Sequence, residues 1–185
     1  MELYTVVLFL HIVAGMGMAS CLATLVVAEG SARRARTPKS LSAILASDER
    51  VANVMKSLAL MLLTSGLYMA HAHWSLVAPW VITAIIVFVY LASTGPLIFG
   101  RRMRAAVRTA NAAGAITPEV RRLLNDPAIE VLGRVRVALL ALLVFLMTVK
   151  PRLAGALVAL ACAVSLGVMS GIVKRPQRHE AGEAI

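Results

Sequence analysis

An all-α, polytopic bundle of five membrane spans, N-terminus out and C-terminus in, is the fold class the sequence predicts. Three observations predict it. Apolar stretches long enough to cross a bilayer recur five times, segments rich in Gly, Pro and charge separate them, and Lys and Arg gather on alternate sides. Hydrophobic residues make up 59% of 185, with a mean hydropathy of +0.82. Soluble domains sit nearer ~45–50% apolar, so the surplus belongs in lipid. That length accommodates one transmembrane domain, residues 1–175, and a tail, 176–185, expected to be disordered and cytoplasmic.

The first span covers residues 3–28 and carries no charge. As a helix it would extend ~39 Å, more than the ~30 Å hydrocarbon core. Its start, Met-Glu, has no basic region, so a cleaved signal is not expected and the span is retained. Residues 29–39, with Gly30, Pro38 and four positive charges, read as a loop. Thr37 before Pro38 has the form of an N-cap with proline at the first helical position. A short interfacial helix over 39–46 follows, and Ser47-Asp48-Glu49 caps the second span, 50–72.

Trp74 and Trp80 bracket the next loop, as aromatics do at a membrane interface. The third span, 79–99, contains Gly95-Pro96, which should kink or unwind it near its far end. Residues 100–126 are polar and basic; Thr117-Pro118-Glu119 starts a short helix there, and Asp126-Pro127 starts another that feeds the fourth span, 132–149. Arg134 and Arg136 occupy the first turn of that span, and Lys150-Pro151 stops it. The fifth span is 153–173.

Topology follows from the basic residues. Sixteen of the 19 Lys and Arg fall on one side and two, Lys150 and Arg152, on the other, with Lys56 inside a span. The positive-inside rule then puts the N-terminus outside the cytoplasmic (inner) membrane of a bacterium. The net charge of +10 points to anionic lipid headgroups at the basic loops, not to nucleic acid. A homo-oligomer or a membrane partner protein is compatible with such a chain.

His11 is the residue that a plain anchor does not need. An imidazole at membrane depth requires a partner and marks a candidate site. On this topology His71 and His73 reach the same outer half. Helical spacing aligns His11, Gly15 and Met18 on one face, and Met61, Ser65 and Met69 on one face of the second span. Gly15 and Gly17 let a flat ligand or a second backbone approach. Imidazole with a second His or a Met holds haem b, so His11, Gly15, Met18, Met69 and His71 form the candidate haem site. Lys56 either snorkels or meets an acidic group such as a propionate.

Copper is the alternative cofactor, with His11, His71 and His73 as ligands beside nine methionines and Cys21. As a function, the alternative to haem handling is a non-catalytic membrane subunit or scaffold that docks a partner through its basic cytoplasmic loops, with copper handling third. Cys21 and Cys162 make neither a disulfide framework nor a zinc spacing. The absence of a P-loop, a Gly-x-Ser-x-Gly, a His-Glu-x-x-His and any acidic residue within a span argues against hydrolase or proton-pump chemistry.

Leu8-Phe9-Leu10-His11-Ile12-Val13-Ala14-Gly15 and Phe145-Leu146-Met147-Thr148-Val149-Lys150-Pro151 resemble the opening and the stop of a family of small bacterial integral membrane proteins of unknown function. The resemblance covers about residues 3–151 and leaves the fifth span as an addition. The opening is also distantly similar to CopD-type copper-resistance proteins and to HemJ-type protoporphyrinogen oxidase. The latter resemblance implies haem binding through His11 alone. Met16 and Gly17 stand where a tryptophan often follows, and Tyr90 and Thr94 are the third-span residues where a lysine is expected, so the oxidase activity is not implied.

Overall fold

The computed structural model describes residues 2–173, so the tail expected to be disordered (176–185) and His179 lie outside the described residues. Within the described residues, short connections join seven α-helices and one π-helical turn: α1 (Glu2–Arg34), α2 (Pro38–His73), α3 (Pro79–Thr94), the π segment (Gly95–Gly100), α4 (Arg101–Ala113), α5 (Pro118–Leu124), α6 (Pro127–Val149) and α7 (Leu153–Val173). Among the described residues, five helical stretches are long and apolar enough to cross a bilayer.

Several boundaries differ from expectation. The first helix does not stop at residue 28 but runs on to Arg34. Its last turns lack proline, Ser31 Oγ donates back to the Val27 carbonyl at 3.0 Å, and two terminal arginines suit the negative end of the helix dipole. Thr37 caps α2 as expected, its hydroxyl accepting from the Ser40 amide at 3.2 Å. The interfacial helix and the second span are one helix of 36 residues, however, and Ser47-Asp48-Glu49 lies in its interior. Such residues favour helix starts, but their interior cost is only a few tenths of a kcal/mol each. Burial of Leu41 and packing of Ile44 and Leu45 against α4 and α5 outweigh it.

Gly95-Pro96 acts as expected. Pro96 cannot donate to the carbonyl four residues back, and the chain adopts a π turn over Gly95–Gly100 before resuming as α4. Helix α4 buries Met103, Ala106, Val107 and Ala110, one face at helical spacing, and ends at Gly114 with φ 66°. That left-handed conformation favours glycine. Helices α5 and α6 start where Thr117-Pro118 and Asp126-Pro127 indicated, each capped by its side chain. Helix α6 runs unbroken from Pro127 to Val149, so Arg134 and Arg136 stand in its third turn.

Two groups of helices result. Helices α1 and α2 form a close antiparallel hairpin, and α6 packs against α7 and α3 around Leu139, Leu142, Leu146 and Ala156. At the basic end α4 and α5 join the groups by packing on the C-terminal part of α1 and the N-terminal part of α2. At the other end Trp74 and Trp80 meet edge to face at 5.8 Å, and the Lys150 ammonium lies 4.0 Å from the Trp74 ring centroid. Large apolar side chains cover the outside, Phe9 being 63% and Leu166 66% exposed. Lipid contact makes that surface stable where water would not.

Candidate functional site

His11 has the partner its position requires. Its Nδ1 lies 3.0 Å from Oγ of Ser65, a buried residue on α2. Ser65 Oγ is closer still, 2.6 Å, to the Met61 carbonyl of its own helix. The hydroxyl has one proton, and the carbonyl, which can only accept, takes it. The Ser65 oxygen therefore accepts from His11, so Nδ1 carries the ring proton and Nε2 keeps its lone pair. The Leu62 carbonyl is a further acceptor beside the ring.

A glycine makes room for the ring, though not one the sequence singled out. A Cβ on Gly66 would stand 3.0 Å from His11 Cε1, whereas Gly15 and Gly17 face Leu62 and Leu58. Met18 is buried on the same helix and Met69 is half-buried one turn beyond Ser65. The other two histidines are placed differently. His71 is exposed, and His73 meets the ring of Tyr4 edge to face at 4.2 Å. Tyr4 is two turns from His11 along α1, ~10 Å by helical rise. Among the described residues no three His, Cys, Asp or Glu side chains form a group that could hold a metal ion.

A second polar centre lies towards the basic end, between α1, α2, the π segment, α4 and α6. It is a cavity of about 360 Å³ whose wall includes Glu29, Asp48, Lys56 and Arg136. Arg136 is 3% exposed. Its guanidinium carbon stands 4.7 Å from the Phe99 ring centroid, a cation–π contact. A Cβ on Gly95 would come within 3.2 Å of its Nη2, so that glycine leaves room for the guanidinium. The sequence reading had Arg136 as a topology-setting charge and Glu29 as a loop residue. The signal available was periodicity: Arg136 falls four residues after Leu132 and three before Leu139, on the buried face of α6.

Ion pairs tie this end together. Arg33 of α1 pairs with Glu130 at 3.3 Å, Arg104 with Glu49 at 3.8 Å, and Arg102 with Asp126. Arg134 pairs with Glu130 one turn away at 2.8 Å and donates to the Ser170 carbonyl of α7.

Comparison with known proteins adds the family. Residues 5–151 match the model of a family described as "Predicted integral membrane protein (DUF2269)". The match closes at Pro151, so α7 lies beyond it. No curated protein and no solved structure matches the chain.

Proposed function

The chain belongs to the family of predicted integral membrane proteins called DUF2269, and within that frame we propose that it is a b-type haem-binding redox or haem-handling protein of the bacterial inner membrane, with His11 as axial ligand. The N-terminus lies outside and the basic end inside, an orientation supported by the asymmetry of Lys and Arg. The observation that carries the haem reading is the His11–Ser65 hydrogen bond. Histidines that ligate metals usually donate their other ring N–H to a neighbouring acceptor, which fixes the tautomer and raises ligand basicity. His11 has such a neighbour in Ser65.

Ser65 orients the ring, and Gly66 leaves it room against α2. Met69, one turn from Ser65 on the same helix, is the second-ligand candidate in the chain; His71 is less suited because it stands farther along α2, among exposed residues. A bound haem would supply one-electron chemistry. The distant resemblance to HemJ-type proteins, carried by His11 alone, points to the same class. Copper handling by His11, His71 and His73 has less support, since the ring of His73 is turned onto Tyr4 well along α1.

The test is absorption spectroscopy of the detergent-solubilised full chain titrated with haem. A stoichiometric Soret band is expected, and His11→Ala should abolish it. Ser65→Ala keeps the ligand but loses the orienting acceptor, so haem affinity should fall about 10- to 100-fold. A chain that stays colourless overturns the reading. One observation favours a non-catalytic subunit instead: α4 buries one face and leaves Arg101 and Arg108 exposed, a basic surface for a partner. Stoichiometric assembly with a defined membrane protein, lost on changing those arginines, would support that second reading.

A further inference from the structure

The cavity at the basic end has a charge balance that identifies a ligand class, independently of the haem reading. Several of the ions on its wall are satisfied. Arg33 pairs with Glu130, Arg102 with Asp126, and Arg104 with Glu49, while Lys56 donates to Asn53 at 3.0 Å. Arg136 is not. Its Nε is buried without a hydrogen-bond partner among the described residues, and no described carboxylate lies within 4.0 Å of it. A guanidinium 97% removed from solvent, with the face of Phe99 against it and Glu29 attracting it only from beyond ion-pair distance, is strongly disfavoured unless an oxyanion meets it. Its planar fork matches phosphate or carboxylate oxygens two at a time.

Two carboxylates on the same wall, Glu29 and Asp48, are also outside any ion pair among the described residues. A simple anion would satisfy Arg136 and be repelled by both. A molecule with an oxyanion and an ammonium satisfies all three. The cavity also has an apolar end, lined by Met18, Leu25, Met55, Ala59 and Ala92. From Glu29 to Met18 along α1 is ~16 Å by helical rise, so a polar head at one end leaves hydrocarbon at the other.

We propose that this cavity binds a zwitterionic amphiphile, an ethanolamine phospholipid, with its phosphate forked by Arg136 and its ammonium against Glu29 and Asp48. The acyl chains start along Met18 and Ala59 and pass into the bilayer. Gly95, at the start of the π turn that Pro96 imposes, leaves the space open beside the guanidinium.

Native mass spectrometry of the full chain in neutral detergent, given mixed micelles of phosphatidylethanolamine or phosphatidylglycerol, tests this. One phosphatidylethanolamine per chain is expected, retained in preference to phosphatidylglycerol. Arg136→Met should lower retention of both lipids about tenfold or more, the loss typical of a charge-assisted pair. Glu29→Gln with Asp48→Asn should keep binding but remove the preference for ethanolamine. That double variant leaves Arg136 in place, so it reports on the site even where Arg136→Met does not fold. Equal retention of the two lipids by the unmodified chain overturns the proposal, as does undiminished binding by a folded Arg136→Met. Stabilisation by inorganic phosphate equal to that by phosphatidylethanolamine also overturns it and assigns the cavity to a free anion.

Discussion

Gly167→Ala is expected to lower the thermal stability of the detergent-solubilised chain by about 1–3 kcal/mol, the usual cost of overfilling a close-packed contact. Helices α6 and α7 meet at Gly167 and Gly171, a small-xxx-small spacing. A Cβ on Gly167 would come within 2.6 Å of Val135 Cα and 3.0 Å of Val135 N. Those are backbone atoms and cannot turn aside, so the two helices must separate. Gly171→Ala should cost less, because its nearest obstacle at 2.6 Å is the Val131 Cγ2 methyl. The double variant should lose most of the α6–α7 interface, and fluorescence-detected size exclusion after a heat step would register it. Gly30→Ala is the control: within α1 its Cβ would have one neighbour, Arg34 Nη2 at 3.7 Å. It should gain roughly 0.5–1 kcal/mol from lost unfolded-chain freedom. Gly167→Ala melting no lower than Gly30→Ala would refute this account of the interface.

The second large effect is expected at Arg121. From α5 its guanidinium donates to the Arg33 carbonyl at 2.7 Å and the Ala35 carbonyl at 2.9 Å, closing the end of α1. A helix C-terminus leaves its last carbonyls without intrahelical partners, and charged donors are worth about 1.5–3 kcal/mol each. Arg121→Met should therefore destabilise by about that much or more, with faster hydrogen exchange confined to the α1–α2 turn and α5. Arg121→Lys should restore less than half, because one ammonium lacks the planar fork that reaches both carbonyls. A uniform rise in exchange across the bundle would contradict a capping role.

The contrast between these residues shows what sequence reading could reach. Arg121 and Arg136 look alike in the chain, both arginines in a basic segment. One closes a helix from a distance of 86 residues to Ala35, and the other is sealed beneath Phe99. His11 stood out because a polar group among 26 uncharged residues has few explanations. Its partner Ser65 lay on the facing stripe that spacing suggested, but nothing local distinguished Ser65 from Ser93 or Thr94. The caps at Thr37, Thr117 and Asp126 were readable because each is a local hydrogen bond followed by proline. The run through Ser47-Asp48-Glu49 was not, since whether α2 breaks there depends on packing of Leu41 and Leu45 against helices far along the chain.

By itself the sequence determined the class of the molecule: helices, five of them fit to span a bilayer, the starts capped at Thr37, Thr117 and Asp126, and one imidazole in need of a partner. Hydropathy, capping and proline are properties of neighbouring residues, so the linear chain carries them. Only the tertiary structure decided that Ser65 accepts from His11, that α1 and α2 stand as a hairpin beside α3, α6 and α7, and that Arg136 ends up buried against a shared cavity. Those outcomes rest on contacts between segments far apart in the chain, where a hydroxyl, a glycine or a guanidinium takes its meaning from whatever the fold sets opposite it.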